Sequence, residues 1–286
     1  MKILILGLGK SGTTALLYKV AAGLPGCHAF SGGKPGTYIG DYGNAVYKHT
    51  YCARKGKDFT LYREHLRREH YDRKIWICRD PRDVAVSRML YRWHRGHLGH
   101  SRQYQAHLAL VRLKEQDPSS IPFHDICRYT SYGDWPATVR SVVDEETSRY
   151  HDMCEFVSAI GHDWFVFSYE DMVSGRHGAL NRYLGFEIAT DTEVPRSSGN
   201  AKVIRKRAVG DWRHWFTQAD VDLFRSAYLR YMTLTGYDRD DWTLARSPVI
   251  EPEFSSVYME KLNERLPLDT AIRLREQARF LFRKNA

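Results

Sequence analysis

Cysteine is scarce in this chain: Cys27, Cys52, Cys78, Cys127 and Cys154 are five widely spaced residues with no C-x-x-C pair among them. An odd, scattered set argues against a disulfide framework or a cysteine zinc site, and it fits a reducing cytoplasm. Long apolar runs are missing as well. The N-terminal Ile3-Leu4-Ile5-Leu6 is far too short to span a membrane and reads as a core strand, not a signal sequence. There is no internal repeat, low-complexity segment, zinc-finger spacing or RNP-like string, and the basic residues do not gather into a tail, so nucleic-acid binding is disfavoured. Acidic residues are the minority, 34 Asp+Glu against 43 Lys+Arg for a formal charge of +9. That excess points to a polyanionic partner without choosing among nucleic acid, an acidic membrane surface and a small polyphosphorylated ligand.

What is present is a repeating strand, loop and helix pattern. Apolar runs at 3–6, 45–51, 74–78 and 164–169 read as strands of a parallel sheet. Helices are expected at 13–22, 61–70, 84–93 and about 145–160, on both faces of that sheet. The expectation is one α/β domain over 1–286, with a turn-rich loop from Ser31 to Gly43, an irregular region at about 94–145 and a helical tail at about 252–286.

The first strand opens into Gly7-Leu8-Gly9-Lys10-Ser11-Gly12-Thr13-Thr14, a glycine-rich turn where backbone N–H groups and a helix dipole converge on an anion. A dinucleotide fingerprint would need a carboxylate about 20 residues on. Residues Cys27 to Lys34 hold none, and Asp41 comes too late. A Walker A loop would need a glycine five positions before Gly9, where Leu4 stands. The third reading takes Lys10-Ser11-Gly12-Thr13-Thr14 as the unit, with a lysine on the loop and hydroxyls on the first helical turn.

That string resembles the 5′-phosphosulfate loop of sulfotransferases that use 3′-phosphoadenosine 5′-phosphosulfate (PAPS), in which K-S-G-T-T is central. Arg79-Asp80-Pro81-Arg82-Asp83-Val84-Ala85-Val86-Ser87 resembles the same family's 3′-phosphate motif, with Arg79 and Ser87 eight residues apart. An arginine fork plus a helix hydroxyl forms a charge-assisted phosphate clamp, although Arg79 paired with Asp80 or Asp83 as structural glue reads equally well. Arg205-Lys206-Arg207-Ala208-Val209-Gly210-Asp211-Trp212 is similar to the family's R-K-G-x-x-G-D-W segment, with Arg207 in place of the glycine; a solvated basic loop is the alternative. Tyr169-Glu170-Asp171 matches Y-E-D, which implies Tyr169 near the adenine, with Asp171 also suited to cap a helix. The resemblance implies a P-loop-like sulfotransferase fold, PAPS as donor, a small-molecule or carbohydrate acceptor, and cofactor contacts from Lys10, Ser11, Gly12, Thr13, Thr14, Arg79, Ser87, Tyr169, Arg205, Lys206 and Arg207.

Sulfuryl transfer needs a base for the acceptor hydroxyl and positive charge at the departing phosphate oxygen. Lys10 suits the leaving-group task. The family carries K-x-H on its second motif strand; here Lys48 and His49 are adjacent and point to opposite faces of an ideal strand. His49 is the expected base because its ordinary pKa suits neutral pH, with Lys48 as sulfuryl contact or fallback base. No metal is required. His94, His97 and His100 invite a metal reading, but glycines at 96 and 99 break the helix that would align them, so they more simply border the acceptor pocket or face solvent. Aromatics such as Tyr91, Trp93, Tyr104, Tyr129, Tyr132 and Trp135 suit stacking on an acceptor or the core. Two departures stand out. The family's adenine-stacking tryptophan is Ala15 here, and its dimer motif survives only as Arg213, Thr217, Gln218 and Asp222. The rival functions are a P-loop kinase using ATP and Mg²⁺ and a non-catalytic nucleotide-binding module.

Overall fold

The computed structural model describes residues 1–31, 42–51, 57–94, 101–130, 136–195, 203, 206 and 208–263. Five strands, β1 (Lys2–Leu8), β2 (His28–Ser31), β3 (Ala45–Tyr51), β4 (Arg73–Cys78) and β5 (Trp164–Ser168), form one parallel sheet in the order β2-β3-β1-β4-β5. The helices, in chain order, are α1 (Thr13–Gly23), α2 (Lys57–Arg68), α3 (Pro81–Leu90), α4 (Ser101–Gln116), α5 (Phe123–Cys127), α6 (Val139–Ala159), α7 (Tyr169–Val173), α8 (Gly178–Leu184), α9 (Trp212–Trp215), α10 (Gln218–Thr235) and α11 (Ser256–Asn263). The chain runs from β1 to one side of the sheet and then to the other. The crevice at the carboxyl ends of β3, β1 and β4 is therefore a topological switch point, where α/β sheets bind ligands.

Alternation along the strands sorts side chains into two cores. Ile3, Ile5, Val46, Ile75 and Ile77 pack with Leu16, Leu17 and Val20 of α1 and Leu180 and Leu184 of α8. On the other face Leu6, Leu8, Tyr51, Trp76 and Cys78 pack against residues of α3, α6 and α10. Strands buried on both faces carry no polar stripe, which is why β1 and β4 read as unbroken apolar runs.

Several boundaries differ from the sequence expectation. The helix expected from residue 84 starts at Pro81, where Asp80 accepts the Arg82 N–H at 2.9 Å and proline needs no partner at the first helical position; it ends at Leu90, with a 3₁₀ turn at Tyr91–Trp93. The helix expected near 61–70 spans Lys57–Arg68, and that expected near 145 begins at Val139, capped by Thr138. Residues 101–116, read as irregular, form a 16-residue helix whose Tyr104, Leu108 and Val111 are buried at helical spacing. Ser31 closes the short edge strand β2 instead of opening a loop, and residues 32–41 lie outside the described residues. In the tail, α11 follows a 3₁₀ turn at Pro252–Phe254, and positions beyond 263 are outside the described residues.

Candidate functional site

A cleft of about 270 Å³ opens at the switch point. The loop after β1 forms its floor. Gly12, at φ +91° ahead of α1, is in the left-handed region, and a Cβ there would stand 2.7 Å from Tyr169 Cδ2. Only glycine lets this loop lie against the start of α7. Lys10 also has positive φ, at 79°, and its ammonium rests 3.5 Å from the centre of the Tyr91 ring. A non-glycine residue held in that region stores strain of order 1 kcal/mol.

The structure brings Lys10, Gly12, Thr13, Thr14, Lys48, Arg79, Ser87, Tyr169 and Lys206 to the cleft wall. Ser11 is turned away: its hydroxyl and its N–H both donate to the Leu8 carbonyl, at 2.7 and 3.1 Å, which closes the tight turn. Arg205 and Arg207 lie outside the described residues, as do His97, His100, Asp41, Cys52, Tyr132 and Trp135. His94 stacks on Tyr91 with ring centres 4.4 Å apart, and among the described residues no group of three His, Cys, Asp or Glu side chains is placed to hold a metal ion. No helix among the described residues is long and apolar enough to cross a membrane.

Strand alternation decides which of the two β3 candidates faces the cleft. Lys48 pairs with Ile5 in register and lies on the α1 side, where its Nζ donates to Thr14 Oγ1 at 3.1 Å. Burial lowers its pKa below the ordinary lysine value. His49 pairs with Leu6 and points to the opposite side, 5.2 Å from the His65 ring and 5.9 Å from the Tyr62 ring. Its Nδ1 is buried with no hydrogen-bond partner among the described residues. The expected base is thus separated from the cleft by its own strand.

Burial first, then His65 and Lys48, pull the His49 pKa down to about 4. Above its ordinary value of 6.5 the ring is neutral in both folded and unfolded chains, but as pH falls below 6.5 the unfolded chain gains a proton that the folded chain refuses. His49 therefore removes about 2 kcal/mol of stability between pH 7.5 and pH 5. Urea unfolding of wild type and His49→Leu at both pH values checks this, since the variant should lose that much less on acidification. An equal loss in both proteins would contradict it.

Arg79, at the end of β4, has its guanidinium 4.3 Å from the centre of the Tyr169 ring. Its Nη1 donates to the Lys10 carbonyl at 3.1 Å and its Nη2 to the Ala208 carbonyl at 3.4 Å, while its buried Nε–H has no acceptor among the described residues. A buried donor without an acceptor is costly and points toward a ligand anion. Ser87 faces the cleft from the same side of α3 as Val86 and Leu90. Lys206 Nζ lies 3.0 Å from Asp211 Oδ1 and 3.6 Å from Glu251 Oε2. The helix cap beside Tyr169 comes from Ser168, whose Oγ accepts the Asp171 N–H at 2.9 Å; Asp171 instead pairs with Arg176.

Sequence reasoning missed Thr50, Phe254 and Tyr258 in the cleft wall. Thr50 was recoverable, since it stands two residues beyond Lys48 on the same strand face. Phe254 and Tyr258 come from a distant segment that no local pattern ties to the cleft. Arg213 of the partial dimer motif is engaged with Asp241, and Gln218 with Asp222 at 2.9 Å.

No protein-family model matches the chain, and no curated protein matches it. Among solved structures, the chain is similar to mouse sulfotransferase SULT7A1 complexed with PAP, with 14% sequence identity and a TM-score of 0.44 over 83% of this chain and 89% of that one.

Proposed function

We propose that the protein is a PAPS-dependent sulfotransferase that places a sulfuryl group on the hydroxyl of a small-molecule or glycan acceptor. The observation that carries this reading is the convergence of Lys10, Lys48 and Arg79 on one switch-point cleft, with the Arg79 Nε–H buried and lacking an acceptor among the described residues. Cations from β3 and from the loops after β1 and β4 suit a ligand with two phosphate groups. In this scheme Arg79 and Ser87 hold the 3′-phosphate, the ring of Tyr169 borders the adenine, and Gly12, Thr13 and Thr14 cradle the 5′-phosphate at the α1 N-terminus.

PAPS supplies a sulfuryl group whose bond to the 5′-phosphate oxygen breaks as the acceptor oxygen bonds to sulfur. Lys48, in its neutral form, takes the hydroxyl proton, and burial makes that form more accessible near neutral pH than for an exposed lysine. Lys10 offers its ammonium to the oxygen that gathers charge. The free Cys27, Cys78, Cys127 and Cys154 accord with a reducing cytoplasm.

Metal-free thermal unfolding with 3′-phosphoadenosine 5′-phosphate (PAP) tests the nucleotide site. Ligand at 100 times its Kd should stabilise by about 2.7 kcal/mol, a rise in Tm of several degrees. A response confined to ATP with Mg²⁺ would make the chain a kinase. Transfer of labelled sulfate from PAPS into metabolite extracts, followed by mass identification, then reveals the acceptor; binding without transfer would leave a nucleotide-binding module.

A further inference from the structure

The motif Arg79-Asp80-Pro81-Arg82-Asp83 enters the proposed chemistry through Arg79, yet its other charged residues all serve a second contact. The Asp80 carboxylate holds the Arg82 guanidinium, with Nη2 to Oδ2 at 2.7 Å. So fixed, Arg82 lies 4.0 Å from the Trp212 ring centre and 4.8 Å from that of Trp242, and its Nη1 donates to the Asp241 carbonyl. Asp83 is buried with its side chain wholly inaccessible. Its Oδ2 accepts the Gly210 N–H at 2.8 Å and its Oδ1 accepts the Trp212 N–H at 3.0 Å.

Those two amides belong to the segment that supplies Ala208 and Asp211 to the cleft wall. Arg79 adds a third tie through the Ala208 carbonyl, and it lies 3.9 Å from Asp83 Oδ2. Burying a carboxylate is costly unless it is paired, and hydrophobic packing would join two segments more cheaply. Here the carboxylate spends both oxygens on backbone N–H groups of one loop, and such charge-assisted bonds are roughly twice as strong as neutral ones. The arrangement fixes where the loop's side chains stand relative to Arg79.

We propose that Asp83 is a positioning residue that latches the 208–212 segment as a strap across the phosphate end of the cleft and is coupled through Arg79 to nucleotide binding. The inference rests on the nucleotide-binding reading of this cleft. The groups facing Asp83 are Arg79 and Asp80 from the β4–α3 turn and the two strap amides, while Asp211 on the strap pairs with Lys206. Burial, opposed by Arg79, lifts the Asp83 pKa to about 6. Because the charged carboxylate is the form that holds both amides, nucleotide binding favours it and near pH 6.5 releases a proton from this group.

Calorimetric titration of PAP into wild type and Asp83→Asn at pH 6.5, in two buffers of different ionisation enthalpy, reads affinity and proton release together. The amide keeps the shape but can accept only one of the two N–H groups. Its Kd should rise by about tenfold or more, and it should release fewer protons per PAP than wild type. Unchanged Kd or equal proton release in the two proteins overturns the latch. Wild type that fails to bind PAP overturns the nucleotide reading and the latch with it. Should Asp83→Asn not fold, amide hydrogen exchange in wild type decides: PAP should slow exchange across 208–215 by about tenfold, and unaltered exchange there rejects the proposal.

Discussion

Replacing Lys48 by methionine is expected to lower turnover by about 10²–10⁴ while PAP binds within a few-fold of wild type. The expectation follows from strand geometry. Lys48 and His49 are neighbours on β3, and the two-residue period puts them on opposite faces, so only one can reach a ligand held by the loop after β1. Lys48 lies on the α1 side, with Nζ on Thr14 Oγ1, whereas His49 is enclosed with His65 and Tyr62. Methionine retains the stem that packs in the wall and removes only the amine. His49→Gln should in turn leave turnover within about threefold, because its side chain meets no group in the cleft. Initial rates of labelled sulfate transfer to the identified acceptor, at saturating PAPS, compare the two. A large loss in His49→Gln with little in Lys48→Met would reverse the assignment of the base.

Much of the frame was legible because each part has a local cause. Ile3-Leu4-Ile5-Leu6 and Ile75-Trp76-Ile77-Cys78 are buried on both sides, so their apolar runs needed no partner to be read. The loop residues were legible for a different reason: glycine and lysine at a strand end are constrained by backbone geometry within a few residues. Alternation told that Lys48 and His49 diverge, but not which of them would line the cleft, since that depends on where α1 folds back. The α4 helix was hidden by glycines and aromatics around it, although Tyr104, Leu108 and Val111 keep a helical period. Asp83 read from the sequence only as a partner for Arg79, which lies 3.9 Å from it. Its role depends on Gly210 and Trp212, more than a hundred residues away, and no local pattern encodes that meeting. Ser11 entered as a cofactor contact by resemblance, and what the fold adds is that its hydroxyl closes the loop itself.

Lys10→Gly should separate catalysis from stability, because its two effects have opposite signs. The side chain is expected to matter most at the departing oxygen, and removing a preorganised cation there should cost about 10²–10³ in turnover. The backbone argument runs against the lysine. At φ 79° the residue sits in a conformation that glycine adopts freely, so the substitution relieves strain of about 1 kcal/mol, offset in part by the greater freedom of glycine in the unfolded chain. Loss of the contact between the ammonium and Tyr91, at 3.5 Å, is a further small cost. The sum is a protein whose urea midpoint stays level or rises slightly while sulfate transfer collapses. Strained backbone positions cluster at functional sites, which is the ground for testing this lysine in catalysis. Arg79 supplies the control, because its guanidinium holds the Lys10 carbonyl at 3.1 Å. Arg79→Ala should weaken PAP binding and also disturb the loop, whereas Lys10→Gly should bind PAP within about tenfold of wild type. Should Lys10→Gly keep full turnover, or unfold at markedly lower urea, the ammonium has no part at the leaving oxygen and the positive φ is a feature of folding alone.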